Sequence, residues 1–270
     1  MKDLRGKTAV VTGAGSGLGR AMALAFHREG MKLALADVDE KGLLETAGLV
    51  GGFSMKVDVS KESDVLAFCN RVEDPFLVCN NAGVSPLGAV WESTPADWQW
   101  ILGVNLWGVI HGVRAFAPRL IAKGEGHFVN TASVAGLISP PGSGAYNVTK
   151  HAVVALSETL LHDLRERGSG VGVSLLCPAY VPTGISDSER NRPADLPAST
   201  LSRETEAKKA MLRKAVSSGR LTAEDVANAV VAAVKEDRFY ILTHPRIKGA
   251  IRARMEDILE ERTPRDPLRL

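Results

Sequence analysis

The feature of this sequence that most constrains its fold is an apolar run, a glycine-rich turn and a helical pattern in direct succession. The β-branched run Thr8–Val11 predicts a buried strand, and Leu18–His27 has the spacing of an amphipathic helix that Gly30 ends. Between them, Thr12–Gly19 holds four glycines within seven residues. Glycine lets a backbone turn sharply against a ligand, and a helix N-terminus attracts anions. The segment therefore predicts a phosphate-binding turn.

Apolar runs and helical patterns alternate along the rest of the chain. The predicted strands are Thr8–Val11, Leu33–Ala36, Phe53–Val59, Phe76–Cys79, His127–Thr131, Val171–Cys177 and Phe239–Leu242. The longest helical patterns are Pro95–Ala122 and Ala145–Arg167, and Ser60 is a plausible N-cap for a helix that runs to Val72. This alternation predicts an α/β fold in which residues 1–270 form one domain. Its core is a doubly wound parallel sheet of about seven strands with helices on both faces.

Composition excludes several classes of partner. With 33 basic and 31 acidic residues the net charge is +2, which predicts neither a nucleic-acid nor an anionic membrane partner. The three cysteines form no CxxC pair, so we expect no disulfide framework and no metal site. The absence of a signal segment and of a membrane-length apolar run favours a cytoplasmic protein. Mixed charges in residues 246–270 predict a solvated C-terminal helix, Ile247–Arg262.

Asp37 is the predicted determinant of cofactor choice. It ends the second predicted strand, 18 residues after Gly19. A carboxylate at that place can accept hydrogen bonds from both ribose hydroxyls of a dinucleotide and would repel a 2′-phosphate. Ser16, Val38 and Asp39 offer no cation that would hold such a phosphate. We therefore expect NAD rather than NADP.

Tyr146 and Lys150 are candidates for proton transfer, because residues at i and i+4 share one face of a helix. A tyrosine has an ordinary pKa near ~10, too high for a base at neutral pH. A lysine cation about 4 Å away contributes roughly 4 kcal/mol at an effective dielectric near 20, enough to lower that pKa by up to ~3 units. Ser133 follows the fifth predicted strand and could donate a hydrogen bond to a substrate oxygen.

Taken together, these motifs resemble those of the short-chain dehydrogenase/reductase family. The resemblance runs from about Leu4 to Leu242. It includes the TGxxxGxG turn Thr12–Gly19, the NNAG motif Asn80–Gly83, Asn105, Ser133, the YxxxK motif Tyr146–Lys150 and the turn Pro178–Thr183. It implies a single-domain Rossmann fold and an NAD-dependent oxidoreductase that interconverts a secondary alcohol and a ketone.

The resemblance also implies residue roles. Tyr146 would be the acid/base, Lys150 would lower its pKa and bind the nicotinamide ribose, Ser133 would polarise the substrate oxygen, and Asn105 would hold a water that links Lys150 to solvent. The implied cofactor-binding residues are Gly13, Ser16, Gly17, Leu18, Gly19, Asp37, Asp58, Val59, Asn81, Tyr146, Lys150, Val181 and Thr183. Asp58 and Val59 would contact adenine, Asn81 the adenosine ribose, and Val181 and Thr183 the carboxamide.

Residues 183–220 would form a lid over the substrate, and family members are commonly homotetramers or homodimers. The expected substrate is an apolar, fairly bulky small-molecule alcohol or ketone, such as a cyclic or terpenoid-like secondary alcohol. The segments predicted to line its pocket are Val84–Trp91, Ala135–Ser143, Tyr180 and the lid, and the apolar side chains that suggest this substrate are Trp91, Leu137, Ile138, Pro140 and Pro141. The alternative is that these are ordinary loop residues. Two other functions stay open, a dinucleotide-sensing protein without catalysis and a dehydratase or epimerase. The complete set of Asn105, Ser133, Tyr146 and Lys150 argues against the first. The lack of a larger C-terminal domain argues against the second.

Overall fold

The computed structural model describes residues 3–198 and 202–269, and in these residues seven strands form one parallel sheet. The strands are β1 (Thr8–Thr12), β2 (Lys32–Asp37), β3 (Phe53–Lys56), β4 (Pro75–Asn80), β5 (Gly126–Thr131), β6 (Val171–Cys177) and β7 (Tyr240–Leu242). Their spatial order is β3-β2-β1-β4-β5-β6-β7, and every neighbouring pair is parallel. The predicted sheet is confirmed.

Helices connect these strands. They are α1 (Gly17–Arg28), α2 (Glu40–Val50), α3 (Glu62–Arg71), α4 (Pro95–Leu102), α5 (Gly108–Lys123), α6 (Gly144–Glu166), α7 (Arg203–Ser217), α8 (Ala223–Glu236) and α9 (Ile247–Leu259). A π-helical turn, Gly103–Trp107, joins α4 to α5 without a break, so the single long helix predicted there is interrupted only by this turn.

The core lies on both faces of the sheet because successive strand side chains point to opposite sides. In β1, Ala9 and Val11 pack with α1, α2 and α8, whereas Val10 packs with α3, α5 and α6. Strands covered on both faces must be apolar throughout, and β4 and β6 are buried along their whole length. This confirms the doubly wound arrangement.

The strand order reverses at β1. The chain first builds outward from β1 through β2 to β3, and then returns to place β4 on the other side of β1. At such a point the two connecting helices leave the sheet in opposite directions, which opens a crevice at the carboxyl ends of the strands. The glycine-rich turn after β1 lies at this crevice.

Several predicted boundaries are wrong by one to three residues, among them the following three. β3 ends at Lys56 rather than at Val59, although Val57 and Val59 remain buried. The N-cap of α3 is Lys61 and not Ser60. Ser60 instead donates its N–H and its hydroxyl to the Asp58 carboxylate, at 3.0 and 2.7 Å, and this local bonding competes with capping. The third boundary is that of the C-terminal helix, which ends at Leu259.

The described part of residues 183–220 contains both 3₁₀ and α-helical segments. Two short 3₁₀ turns occupy Gly184–Asn191, α7 follows, and residues 199–201 of the predicted lid lie outside the described residues. The C-terminal tail is largely exposed, as its charge pattern predicted, and the buried residues in its described part are Ala253 and Asp257. Asp257 of α9 is buried and accepts hydrogen bonds from the N–H and Nε of Arg265, at 3.0 and 3.1 Å, which folds the end of the chain back onto the helix.

Candidate active site

One cleft at the carboxyl ends of the strands collects residues from across the sequence. Its lining includes every residue that the sequence predicted for cofactor binding: Gly13, Ser16, Gly17, Leu18, Gly19, Asp37, Asp58, Val59, Asn81, Tyr146, Lys150, Val181 and Thr183. Ser133 lines the same cleft. The parallel sheet brings them together because the loops after its strands all emerge at one edge.

The glycine-rich turn packs backbone against backbone with the loop that follows β4. Gly13 has a φ of +67°, and a Cβ there would stand 2.8 Å from the Cα of Ala82. The Thr12 hydroxyl accepts hydrogen bonds from the N–H groups of Asn81 and Ala82, at 2.9 and 3.2 Å. Any side chain at position 13 would therefore separate the two loops that form this wall of the cleft.

The Asp37 carboxylate is held at the end of β2 by backbone donors. It accepts from the N–H of Gly15 at 2.7 Å and from that of Asp39 at 2.9 Å. Burial nevertheless raises the pKa of Asp37, since these hydrogen bonds only partly offset the loss of water around the charge. The carboxylate lies against Gly15, so a ligand in the cleft meets a fixed acceptor beside the glycine-rich turn.

Arg20 of α1 is a supporting residue that sequence reasoning missed. Its guanidinium donates to the carbonyl oxygens of Gly15 and Gly42 at 2.5 and 3.1 Å, and to the Thr46 hydroxyl at 2.9 Å. These bonds join the glycine-rich turn to α2. The available sequence signal was its position directly after Gly19, but a cation there reads equally well as a solvated helix residue.

Tyr146, Ser133 and Lys150 meet at the centre of the cleft. The Tyr146 hydroxyl is hydrogen bonded to that of Ser133. Ser133 Oγ also accepts from the N–H of Ala135 at 3.2 Å, which orients it. Lys150 Nζ donates to the carbonyl oxygen of Thr131 at 2.9 Å and lies 5.6 Å from the centroid of the Tyr146 ring. The YxxxK spacing thus places both groups on the cleft face of α6.

The structure corrects the predicted pKa of Tyr146. The sequence argument considered the charge of Lys150 and predicted a lowered value. In the structure, burial raises the pKa of Tyr146, and the hydrogen bond with Ser133 opposes this only in part. Burial also lowers the pKa of Lys150 to about 8. The loss of water around both groups, which the sequence could not show, is therefore the largest cause of both pKa shifts.

Asn105 lies behind this group, in the π-helical turn, and is fully buried. Its side chain accepts from the N–H of Val84 at 2.8 Å and donates to the carbonyl oxygen of Val84 at 2.9 Å. It also donates to Thr149 Oγ1 at 3.3 Å. Asn105 is not part of the cleft lining. Its observed contacts hold the loop after β4 against α6, and a π-helical turn at such a position is typical of functional sites.

The apolar lining of the cleft differs from the prediction. Trp91, Leu137, Ile138, Pro140, Pro141 and Tyr180 are not part of it; Trp91 is 87% exposed and Ile138 is buried. The apolar side chains that do line it include Val84, from the predicted segment Val84–Trp91, and Ile185, Pro193 and Val216, from the predicted lid. Trp100 and Val104 also line it and were not predicted. Sequence position alone could not tell which side of a loop faces the cleft.

Comparison with known proteins agrees with this geometry. Residues 7–194 match the family model of the short chain dehydrogenases. The chain belongs to the short-chain dehydrogenase family. A relative from Lactiplantibacillus plantarum, a CLA biosynthesis dehydrogenase/reductase, is 31% identical, and the match covers 98% of this chain and 97% of that protein. A 1-deoxy-11-beta-hydroxypentalenate dehydrogenase from Streptomyces exfoliatus is 33% identical, with 94% and 89% covered.

A solved short-chain dehydrogenase/reductase from Burkholderia phymatum, in complex with NAD, has the same fold. Its sequence is 50% identical to that of the present chain, the match covers 99% of each chain, and the TM-score is 0.96. The Rossmann fold expected from the sequence is therefore confirmed.

Within the described residues, no helix is both long and apolar enough to span a membrane, and no group of three or more His, Cys, Asp or Glu side chains could hold a metal ion.

Proposed function

We propose that this short-chain dehydrogenase is an NAD-dependent enzyme that interconverts a secondary alcohol and a ketone. The observation that carries the proposal is the meeting of Tyr146, Ser133 and Lys150 in the cleft that also contains the glycine-rich turn and Asp37. A hydride transfer needs a dinucleotide site and a proton donor or acceptor within reach of one substrate, and this cleft offers both.

The residues present fit a dinucleotide. The turn presents bare backbone to a ligand, because a side chain would crowd its neighbours at Gly13, Gly15 and Gly17. The N-terminus of α1 lies at the cleft, as pyrophosphate binding requires. The Asp37 carboxylate favours the ribose hydroxyls of NAD and disfavours a 2′-phosphate. The NAD complex of the Burkholderia phymatum protein supports the same choice. Asp58, Val59 and Asn81 would then contact the adenosine half, and Val181 and Thr183 the carboxamide.

Tyr146 would exchange the proton of the substrate hydroxyl, and Ser133 would donate a hydrogen bond to the same oxygen. When bound, oxidised NAD accepts the hydride and adds a positive charge near the phenol, which counteracts the effect of burial on the pKa of Tyr146. With a pKa of about 8, Lys150 is mostly an ammonium ion at neutral pH and stabilises the phenolate. Asn105 would hold the water that links Lys150 to solvent.

The proposed substrate is an apolar small-molecule alcohol or ketone. The support is the apolar cluster of Val84, Trp100 and Val104 with Tyr146. Ile185 and Val216 line the same cleft. Removing apolar surface from water contributes roughly 25 cal/mol per Å², so such a lining selects for apolar groups around the reacting carbon. The dehydrogenase name of the Streptomyces exfoliatus relative agrees with oxidation of a hydroxyl group.

We also propose a homodimer or homotetramer in the cytoplasm, without nucleic-acid or membrane partners. The two long helical segments are the proposed packing faces. The large exposed apolar side chains on these segments are Trp107, at the junction with α5, and Val148 of α6, each 50% exposed. Size-exclusion chromatography with light scattering would measure the mass of the particle.

The test is the absorbance of reduced nicotinamide across a panel of alcohols and ketones, with NAD and NADP in parallel. Tyr146→Phe should lower kcat by about 10²- to 10⁴-fold, the usual contribution of a general acid or base. The matched control is Tyr240→Phe, which removes a hydroxyl that is hydrogen bonded to Glu158 outside the cleft and should leave kcat unchanged. Full turnover by Tyr146→Phe would refute the mechanism, and tighter binding of NADP than of NAD would refute the role of Asp37.

A further inference from the structure

The predicted lid places a cation against the phosphate-binding turn. Arg190, near the end of the second 3₁₀ turn, lines the cleft, and its Nη2 lies 3.4 Å from the hydroxyl oxygen of Ser16. Its Nη1 donates to the carbonyl oxygens of Gly184 and Asp187, at 2.7 and 2.9 Å. One guanidinium therefore joins the backbone of the lid to the glycine-rich turn.

The charge of Arg190 is not neutralised by a neighbouring acid. The carboxylate of Asp187 forms an ion pair with Arg213 at 2.9 Å, and that of Glu189 pairs with Arg192 at 2.6 Å. In residues 3–198 and 202–269, no carboxylate lies within ion-pair distance of Arg190. A guanidinium that lines a cleft without a carboxylate partner is suited to bind an anion there.

Ser16 indicates which anion this is. It is the N-cap residue of α1, yet its side chain caps none of the helix N–H groups, so those donors are available to a ligand. Thr183, at the start of the lid, packs close to the N-terminus of α1. A Cβ added to Gly17 would stand 3.2 Å from the Cβ of Thr183. The free helix N-terminus and the Arg190 guanidinium therefore converge on one position.

We propose that Arg190 binds the pyrophosphate of the dinucleotide and thereby fastens the lid to the bound cofactor. The proposal rests on the proposed NAD site. Ile185, Ser188 and Asn191 of the same segment also line the cleft, so fastening the lid would position these side chains as well.

The binding test uses ADP-ribose, which carries the pyrophosphate without the nicotinamide, and adenosine, which carries neither. Isothermal titration should show ADP-ribose binding about tenfold weaker to Arg190→Gln than to the wild type, the usual effect of losing one charge-assisted hydrogen bond. Adenosine binding should not change. Arg213→Gln is the matched control, since it removes another lid arginine whose side chain pairs with Asp187 away from the cleft, and it should bind both probes normally.

Two results would overturn the proposal: ADP-ribose binding to Arg190→Gln within twofold of the wild type, or an equal loss for adenosine. Failure of the proposed function is distinguishable, because it would appear as a wild-type protein that turns over none of the panel while still binding ADP-ribose.

A second measurement tests the fastening of the lid. A glutamate-specific protease should cut the lid of the wild type more slowly when ADP-ribose is present. In Arg190→Gln, saturating ADP-ribose should give clearly less protection. Equal protection of the two proteins would show that the lid is held by other contacts and would refute this part of the proposal.

Discussion

Replacing Lys150 with methionine should stabilise the protein while it removes activity. Lys150 is 3% exposed, and burial lowers its pKa from 10.5 to about 8. The folded protein therefore holds an ammonium ion at neutral pH in surroundings that disfavour the charge. Methionine has a similar length and no charge, so Lys150→Met removes this unfavourable interaction.

The magnitude follows from the pKa. The difference between 10.5 and about 8 is about 2.5 units, and at about 1.4 kcal/mol per unit this gives about 3 kcal/mol in favour of the methionine variant. The variant also loses the hydrogen bond from Nζ to the Thr131 carbonyl oxygen, which offsets about 1 kcal/mol. The expected net gain in the free energy of unfolding is about 2 kcal/mol at pH 7.

The gain should depend on pH with a defined sign. Below pH 8, Lys150 is protonated in both the folded and the unfolded wild type, so the destabilisation is complete and constant. Between pH 8 and 10.5 the unfolded state binds more protons than the folded state, and the wild type becomes more stable as the pH rises. The advantage of Lys150→Met should therefore shrink across this window.

Urea unfolding followed by tryptophan fluorescence at pH 7 and pH 9.5 measures both effects. Lys123→Met is the matched control. That lysine is paired with Asp74 near the surface, where the hydrogen bond raises the pKa of Lys123, so its removal should lower stability by less than about 1 kcal/mol. A Lys150→Met variant that is less stable than the wild type at pH 7, or whose advantage grows with pH, would refute the reasoning.

Two further predictions concern the glycines and the cofactor. Gly112→Ala should destabilise the protein by about 2–4 kcal/mol, because its Cβ would overlap the buried Asn80 side chain. Gly48→Ala, with open space around the new Cβ in α2, should be neutral or stabilising by about 1 kcal/mol. Equal midpoints in thermal unfolding would contradict this contrast. Asp37→Asn keeps an acceptor for the Gly15 N–H but removes the charge, so the ratio of kcat/KM for NADP to that for NAD should rise at least about tenfold. An unchanged ratio would show that another group selects the cofactor.

The sequence by itself determined the sheet and the location of the candidate cofactor site. Apolar runs such as Thr8–Val11 predict buried strands through local periodicity, and a glycine-rich turn followed by a helix binds phosphate through its own backbone. Asp37 and Ser133 could be placed for the same reason, since each directly follows a strand, and parallel strands end at one edge. Tyr146 and Lys150 share a helix face through their spacing alone.

Only the tertiary structure decided the environment of those groups. Spacing placed Lys150 beside Tyr146, but the sign of the pKa shift of the tyrosine depends on how much water the surrounding elements exclude. In the same way, Trp91 was predicted to line the cleft and is exposed, whereas Arg190 was not singled out and reaches Ser16, 174 residues earlier. Burial and long-range contacts arise from the packing of the whole chain, and no local pattern in the sequence encodes them.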